Sequence, residues 1–304
     1  MNIIIVILIF FLVLFIYLHI FYHIKTSNDL EVFELSQLSK ERLEEICDFR
    51  QPLTFNLNLD SFDKLRMENI SDTYGSFDIK LRDLSSNDMN SELFLPVVIK
   101  KGLSVLQNDN NNQFISENNQ DFLQETSLIK VLKANDAFLR PSMMIYSNYD
   151  YMMGSAGTTT PFRYKMDYRH FIVVLNGNIK VKLTPPKNKK YLYPENDYDN
   201  FEFRSPINPW NVQNEYKADF DKIKVLDLEI SPGYIIFIPA YWWYSIEYVE
   251  LSSICVFKYR TYMSTLAISH HIIMSFLQKQ NIKREIAKKA TIVEQVLPNN
   301  KKEI

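Results

Sequence analysis

"SPGYIIFIPAYWWYSIEY", residues 231–248, places a Ser-Pro-Gly turn before an apolar run, breaks at Pro239-Ala240, and resumes with two tryptophans. Proline and glycine punctuate the stretch, and β-branched and aromatic residues fill the runs, so it predicts a strand, a turn and a second strand. The same cadence extends outward through "SMMIYS" (142–147), "HFIVVLNGNIKVKLTPP" (170–186), "DLEISPGYIIFIP" (227–239) and "SSICVFKYRTY" (252–262). "LNGN" (175–178) between two alternating runs is a hairpin signal, because Asn and Gly tolerate the positive φ of tight turns. Many short strands with few helices among them point to a sandwich or barrel.

Composition is consistent with one main domain and appendages. Hydrophobic residues make up 46% of the 304, enough for a sizeable core, and the net charge of -2 gives no pull toward nucleic acid, which is not expected as a partner. "RYKMDYR" (163–169) mixes basic and aromatic residues but reads as a strand. The two cysteines, Cys47 and Cys255, are too few for a disulfide framework and read as buried small hydrophobes.

The segment "NIIIVILIFFLVLFIYLHIFY" (2–22) carries no charged side chain, and at ~1.5 Å per residue it is one hydrocarbon thickness long. It lacks the basic start and small-residue cut site of a signal peptide, so residues 1–24 are expected to be a transmembrane anchor. Lys25, Lys40 and Arg42 follow it, which favours a single-pass protein with a cytosolic body. Residues 25–50 form a polar linker and short helix, with Leu35, Leu38, Leu43 and Ile46 near helical spacing; "QPLTFNLNL" (51–59) alternates as a strand. Residues 51–262 form the β domain, interrupted by an asparagine-rich stretch (107–121) expected as an exposed loop. The 263–304 tail switches to helical spacing, with Leu266, Ile273, Phe276 and Leu277 as a buried stripe and Lys279, Lys283, Arg284, Lys288 and Lys289 on a basic face. That face is expected to be solvated, with lipid contact as the alternative, and the helix is a candidate for a protein partner or self-association.

Two segments, "GSAGTTTPFRYKMDYRHFIVVLNGNIKVKLTPP" (154–186) and residues 231–248, resemble motifs of the cupin-like and Jumonji-C 2-oxoglutarate oxygenases. The first is similar to the family's Thr-Pro, His-x-Asp, strand, Gly and Pro-Pro series, the second to its Pro-Gly, apolar run, Ile-Pro, Trp-Trp-His. The likeness covers roughly residues 141–260 and implies a mainly β, double-stranded β-helix (cupin, jelly-roll) fold with flanking helices. In the family, iron sits on two histidines and a carboxylate, leaving positions open for 2-oxoglutarate and oxygen. Here one register puts Tyr164 and Met166 at the first two ligand positions, the other Arg163 and Lys165, and the third position is Tyr244. The family's basic residue for 2-oxoglutarate falls at Ile179, with Lys180 beside it on the opposite face.

Of five histidines, His19 and His23 lie in the anchor and His270 and His271 in the terminal helix, which leaves His170 for the barrel. Asp167 is three residues from it, on the opposite face of a regular strand. An inward Arg163 or Lys165 would hold a fixed cation in the metal's place, with Asp167 or Tyr244 to satisfy its donors; otherwise these side chains reach solvent at a strand start. Thr160, Asp167, His170, Lys180, Trp242 and Trp243 complete the pocket candidates, one tryptophan filling the barrel and the other facing a groove or helix. The expectation is a membrane-anchored, non-catalytic binding or structural module with no metal and no cofactor. The alternatives are an active Fe(II) and 2-oxoglutarate-dependent protein hydroxylase with unconventional ligands, and a scaffold at a viral membrane or virion surface. The Asn-, Ile- and Lys-rich composition fits the AT-rich genome of a large DNA virus.

Overall fold

The computed structural model of the chain describes residues 3–35, 39–57, 60–84 and 94–283. Helix α1 (Ile3–Ile24) buries none of its residues, and among the described residues it is the helix long and apolar enough to cross a membrane. Its foot is tied to the body by Arg50, whose guanidinium donates to the carbonyls of Tyr22 and Lys25 at 2.5 Å each and stacks 4.2 Å from the Tyr22 ring. Carbonyls at a helix C-terminus have no partners within the helix, so a cation there both satisfies and attracts them.

The segment expected as a linker is structural. Strand β1 (Phe33–Leu35) pairs in parallel with β2 (Leu53–Asn56), and α2 (Lys40–Asp48), capped by the Ser39 side chain, buries Leu43, Ile46 and Cys47. Leu38 lies outside the described residues. Then come α3 (Met67–Tyr74), β3 (Asp78–Asp83), β4 (Phe94–Val98), α4 (Ile99–Gln107), β5 (Phe114–Ser116), α5 (Gln120–Glu125) and α6 (Leu128–Asn135). The asparagine-rich stretch is thus a loop at residues 108–113 and 117–119, but β5 joins the sheet, and Ile115, Ser116, Glu117 and Asn119 are buried.

The remaining strands are β6 (Met144–Gly154), β7 (Arg163–Tyr164), β8 (Arg169–Asn176), β9 (Ile179–Thr184), β10 (Glu195–Asp197), β11 (Glu202–Arg204), β12 (Leu226–Ile230), β13 (Tyr234–Phe237), β14 (Trp243–Tyr248) and β15 (Ser252–Thr261). A short helix α7 (Lys217–Phe220) precedes β12, and α8 (Tyr262–Ala267) and α9 (Ser269–Lys283) close the described chain. Nine strands form one sheet in the order β1-β2-β13-β8-β15-β6-β5-β3-β4, and six form the other in the order β10-β11-β7-β14-β9-β12.

From β6 to β9 and again from β12 to β15 successive strands change sheet, which corrects the hairpin expected at "LNGN". β8 pairs with β13 and β15 in the large sheet, whereas β9 pairs with β12 and β14 in the small one. The turn between them crosses the edge of the sandwich at Gly177 (φ 67°), where a Cβ would lie 2.3 Å from Ser252 Oγ. Tyr241 (φ 67°) makes the corresponding crossing between β13 and β14.

Strand alternation then sorts the apolar residues into three layers. Between the sheets, Ile172, Val174, Ile236, Ile254 and Val256 face Ile179, Val181, Leu183 and Ile246. Behind the large sheet, Phe171, Val173, Phe237 and Phe257 pack on the helices through Ile46, Cys47 and Phe122. Behind the small sheet, Phe162, Tyr164, Met166, Phe203 and Trp243 pack with Ile268 of the terminal segment. Both cysteines are buried and free. The stripe predicted on the terminal helix is not buried: Ile273, Phe276 and Leu277 are 57%, 61% and 48% exposed, and Leu266 is also exposed. The helix instead makes its contacts through Ile272 and His271, the latter against Tyr198 and Phe203, with Ile268 just before it. The Lys283 side chain, Arg284, Lys288 and Lys289 lie outside the described residues.

Candidate binding site between the sheets

Tyr244 belongs to the inter-sheet layer and stands directly across from Arg163 in the β7–β14 pairing. Arg163 therefore projects between the sheets, whereas Tyr164, across from Trp243, projects to the opposite side. Met166 shares that outer layer with Tyr164. At this pairing it is Arg163, from the second of the two expected registers, that lies on the inner side.

Of the two partners expected for Arg163, Tyr244 interacts with it, its ring 5.9 Å from the guanidinium, and Asp167 does not. The guanidinium donates to Glu117 at 2.7 Å and Glu202 at 2.6 Å, while Asp167 accepts from Arg260 Nε at 2.7 Å. Glu117 accepts a second guanidinium, Arg82, at 2.7 Å, and Arg204 lies 3.8 Å from Glu202. All five side chains are at most 8% exposed. Burial pushes the Glu117 carboxyl up, but Arg163 and Arg82 beside it carry it below the usual carboxylate range. Burial disfavours the charged Arg163 in the same way, and Glu117 and Glu202 hold it protonated.

Local chemistry brings Glu117 inward. After β5 the chain turns at Asn118 (φ 62°), and the buried Asp150 carboxylate on β6 accepts the Asn118 and Asn119 amides at 2.9 and 2.7 Å. The Asn119 side chain in turn donates to Ser116 Oγ and to the Tyr151 carbonyl. Asparagines that predict a loop by composition thus serve as hydrogen-bonding struts.

Beside this network, Lys258 on β15 lies in register with Asn148 on β6 and His170 on β8, a polar row across three strands on the inner face. His170 is 2% exposed, both ring nitrogens lack a partner, and its ring lies 5.2 Å from that of Tyr244. Burial, then Lys258, Lys165 and Arg163, hold the imidazole neutral well below its ordinary pKa. Burial also lowers the Lys165 ammonium to about 8, and Tyr244 is pushed up to about 12, again by burial first.

The other candidates are structural. Thr160 Oγ1 accepts the Ile246 amide at 2.9 Å, stitching a loop to β14. Lys180 lies between Glu229 and Glu247 across the outer face of the small sheet, away from the interior. Trp242 fills the inter-sheet core and donates to the Ser27 carbonyl at 3.1 Å, whereas Trp243 packs in the outer layer against Tyr164 and Phe162.

The donor set does not suit a divalent cation. The inner-face positions carry a guanidinium, an ammonium and a phenol kept protonated, and the two nearest carboxylates are committed to Arg163. Among the described residues, no three His, Cys, Asp or Glu side chains converge. Glu117, Glu202, Arg82, Arg204, Asn148 and Lys258 were not singled out in the sequence. Only Lys258 left a signal there: in "CVFKYR" the period of two puts Val256, Lys258 and Arg260 on one face, which places two cations on the side of a core valine.

Comparison with known proteins agrees with this architecture. HSPB1-associated protein 1 of Rattus norvegicus is 27% identical over 99 residues, which is 32% of this chain and 21% of that protein. The same protein of Bos taurus is 27% identical over 99 residues, 20% of its length. The chain therefore spans about a fifth of the length of the curated relatives it matches. The match that covers most of the chain is to the cupin-like domain, over residues 27–262, and by it the chain belongs to the cupin-like domain family.

Proposed function

We propose that this chain is a membrane-anchored cupin-like protein whose two sheets, the halves of a double-stranded β-helix, enclose a binding site in place of an iron centre. The cupin-like family includes 2-oxoglutarate oxygenases, and the segments resembling theirs keep the strands and turns while the ligand positions carry other chemistry. The observation that carries the reading is Arg163. A fully buried guanidinium held by Glu117 and Glu202 is a fixed positive charge at a position that the motif resemblance aligns with a metal ligand, and that charge opposes a divalent cation. The module binds a ligand or a protein partner without redox turnover.

The test is anaerobic titration of the full chain in detergent with Fe(II) and 2-oxoglutarate. Sub-stoichiometric iron at every concentration is expected. One tightly bound iron per chain with 2-oxoglutarate-dependent turnover would sink the reading and make the protein a hydroxylase with unconventional ligands.

A further inference from the structure

Arg163 has its two carboxylates and Arg260 has Asp167, but two cations beside them lie beyond ion-pair distance of any carboxylate among the described residues, Glu202 attracting Lys165 only from further off. Lys165 and Lys258 are half-buried, and neither ammonium makes an ion pair or a side-chain hydrogen bond among the described residues. Both line a cleft of about 140 Å³, with Asn118, Asn148 and Gln120 supplying amide groups at its walls. At ~30 Å³ per liquid water the cleft has room for four or five waters, or for one compact ligand of similar size.

Its polar surroundings are unfinished. His170, in register beside Lys258, has two unpartnered ring nitrogens, and the Asn148 side-chain oxygen and Arg163 Nε are also buried without partners. Buried polar groups without partners are rare in folded proteins and costly where they occur. Two unpaired ammoniums facing one cleft add mutual repulsion to that cost. Such an arrangement is expected where an incoming group supplies the missing charge, because stability is commonly given up at binding sites.

We propose that this cleft binds a compact anion, a carboxylate or phosphate group, gripped directly by Lys165 and Lys258 without a metal. The amides of Asn118, Asn148 and Gln120 donate to its remaining oxygens, and Lys165 and Lys258 contribute charge-assisted hydrogen bonds, the strong kind. This inference deepens the binding-module reading by naming the ligand chemistry, and it rests on that reading.

Isothermal titration calorimetry of the full chain in detergent, with EDTA present, tests it using inorganic phosphate and succinate as separate probes and chloride as control. Saturable binding of either probe is expected, and the one that saturates identifies the source of the anion. The Lys165→Met and Lys258→Met single variants should each weaken binding by at least about tenfold, the loss of one charge-assisted hydrogen bond, whereas the outward Lys180→Met should leave it unchanged. Acetylation footprinting of the unmodified protein provides a readout that needs no variant: the bound probe should protect Lys165 and Lys258 but not Lys180. Saturation by neither probe, undiminished binding in both inner variants, or equal acetylation with and without probe overturns the anion site while leaving the binding-module reading intact. Binding that appears only when iron is added overturns both.

Discussion

Glu117 holds Arg163 and Arg82 at once from a site that is 2% exposed, so its charge carries more than its own share of the interior. Glu117→Gln would take one carboxylate from each of two buried guanidiniums, Arg163 keeping Glu202, and breaking buried pairs in this way costs about 3–5 kcal/mol, readable as a lower denaturation midpoint. Because the folded-state pKa of Glu117 lies below the usual 4.5, its stabilisation is present above that pH and is lost as pH falls through the folded value. His170 acts in a different window. It is held neutral in the fold and takes a proton only when unfolded, so stability drops as pH falls below 6.5. His271, lowered to about 4 by burial first and then by His270, adds in the same direction. His170→Asn should therefore flatten, without abolishing, the loss of stability between about pH 6.5 and 5, by up to about 1.4 kcal/mol per pH unit; identical slopes in denaturant melts would contradict the assignment. Lys165 pays a similar penalty at neutral pH, since burial holds it at about 8. Lys165→Met should accordingly melt higher than the parent, by roughly 1 kcal/mol of stability, even as it loses the anion.

At the scale of elements, the terminal helix departs most from its sequence. Ile273, Phe276 and Leu277 recur at helical spacing, yet all three face outward while Ile272 and His271 make the contacts. Replacing the three with serine should change the unfolding free energy by no more than about 0.5 kcal/mol per substitution, because they bury little on folding. If the helix mediates self-association, the same variant should sediment as a smaller species; an unchanged melt with unchanged sedimentation would remove that role. The helix shows what a periodic pattern conveys: it marks an apolar face without saying what covers it. The strands obey the same limit. Period-two alternation made β8, β9, β13, β14 and β15 legible, but alternation does not name a strand's partners, so a Gly177 turn between sheets looked like a hairpin within one. The site was legible to a similar degree. Arg163, Lys165 and Tyr244 stood out because they fall at motif positions, but an inserted residue left two registers, and the sequence could not say that Arg163 lies across from Tyr244. Glu117 was hidden because Asn119 and its neighbours are polar for hydrogen bonding to Asp150, which composition alone cannot distinguish from polarity for solvent.

Across the whole molecule, the body is coupled to the apolar helix by more than a peptide bond. Arg50 caps the foot of α1, Trp242 donates to the carbonyl of Ser27 just beyond it, and α8 packs alongside. The descent from α1 to β1 is thus fastened at three points, which holds the β domain close against whatever surface the helix enters. A helix of 22 residues rises about 33 Å, enough to cross a hydrocarbon core with its charged neighbour Lys25 at the boundary. Insertion with that cation on the cytosolic side is the orientation the flanking charges favour. The full chain should then stay in the pellet after alkaline carbonate extraction, and protease added to sealed, cytosol-out vesicles should digest the body. Extraction into the supernatant would show that α1 does not span a bilayer; retention with a protected body would reverse the orientation and make the Asn69-Ile70-Ser71 sequon accessible to glycosylation. In that reversed arrangement Asn69, exposed on α3 with its side-chain amide donating to the Asp63 carbonyl at 2.6 Å, would be the acceptor, and a glycosidase-sensitive mass increase would report it.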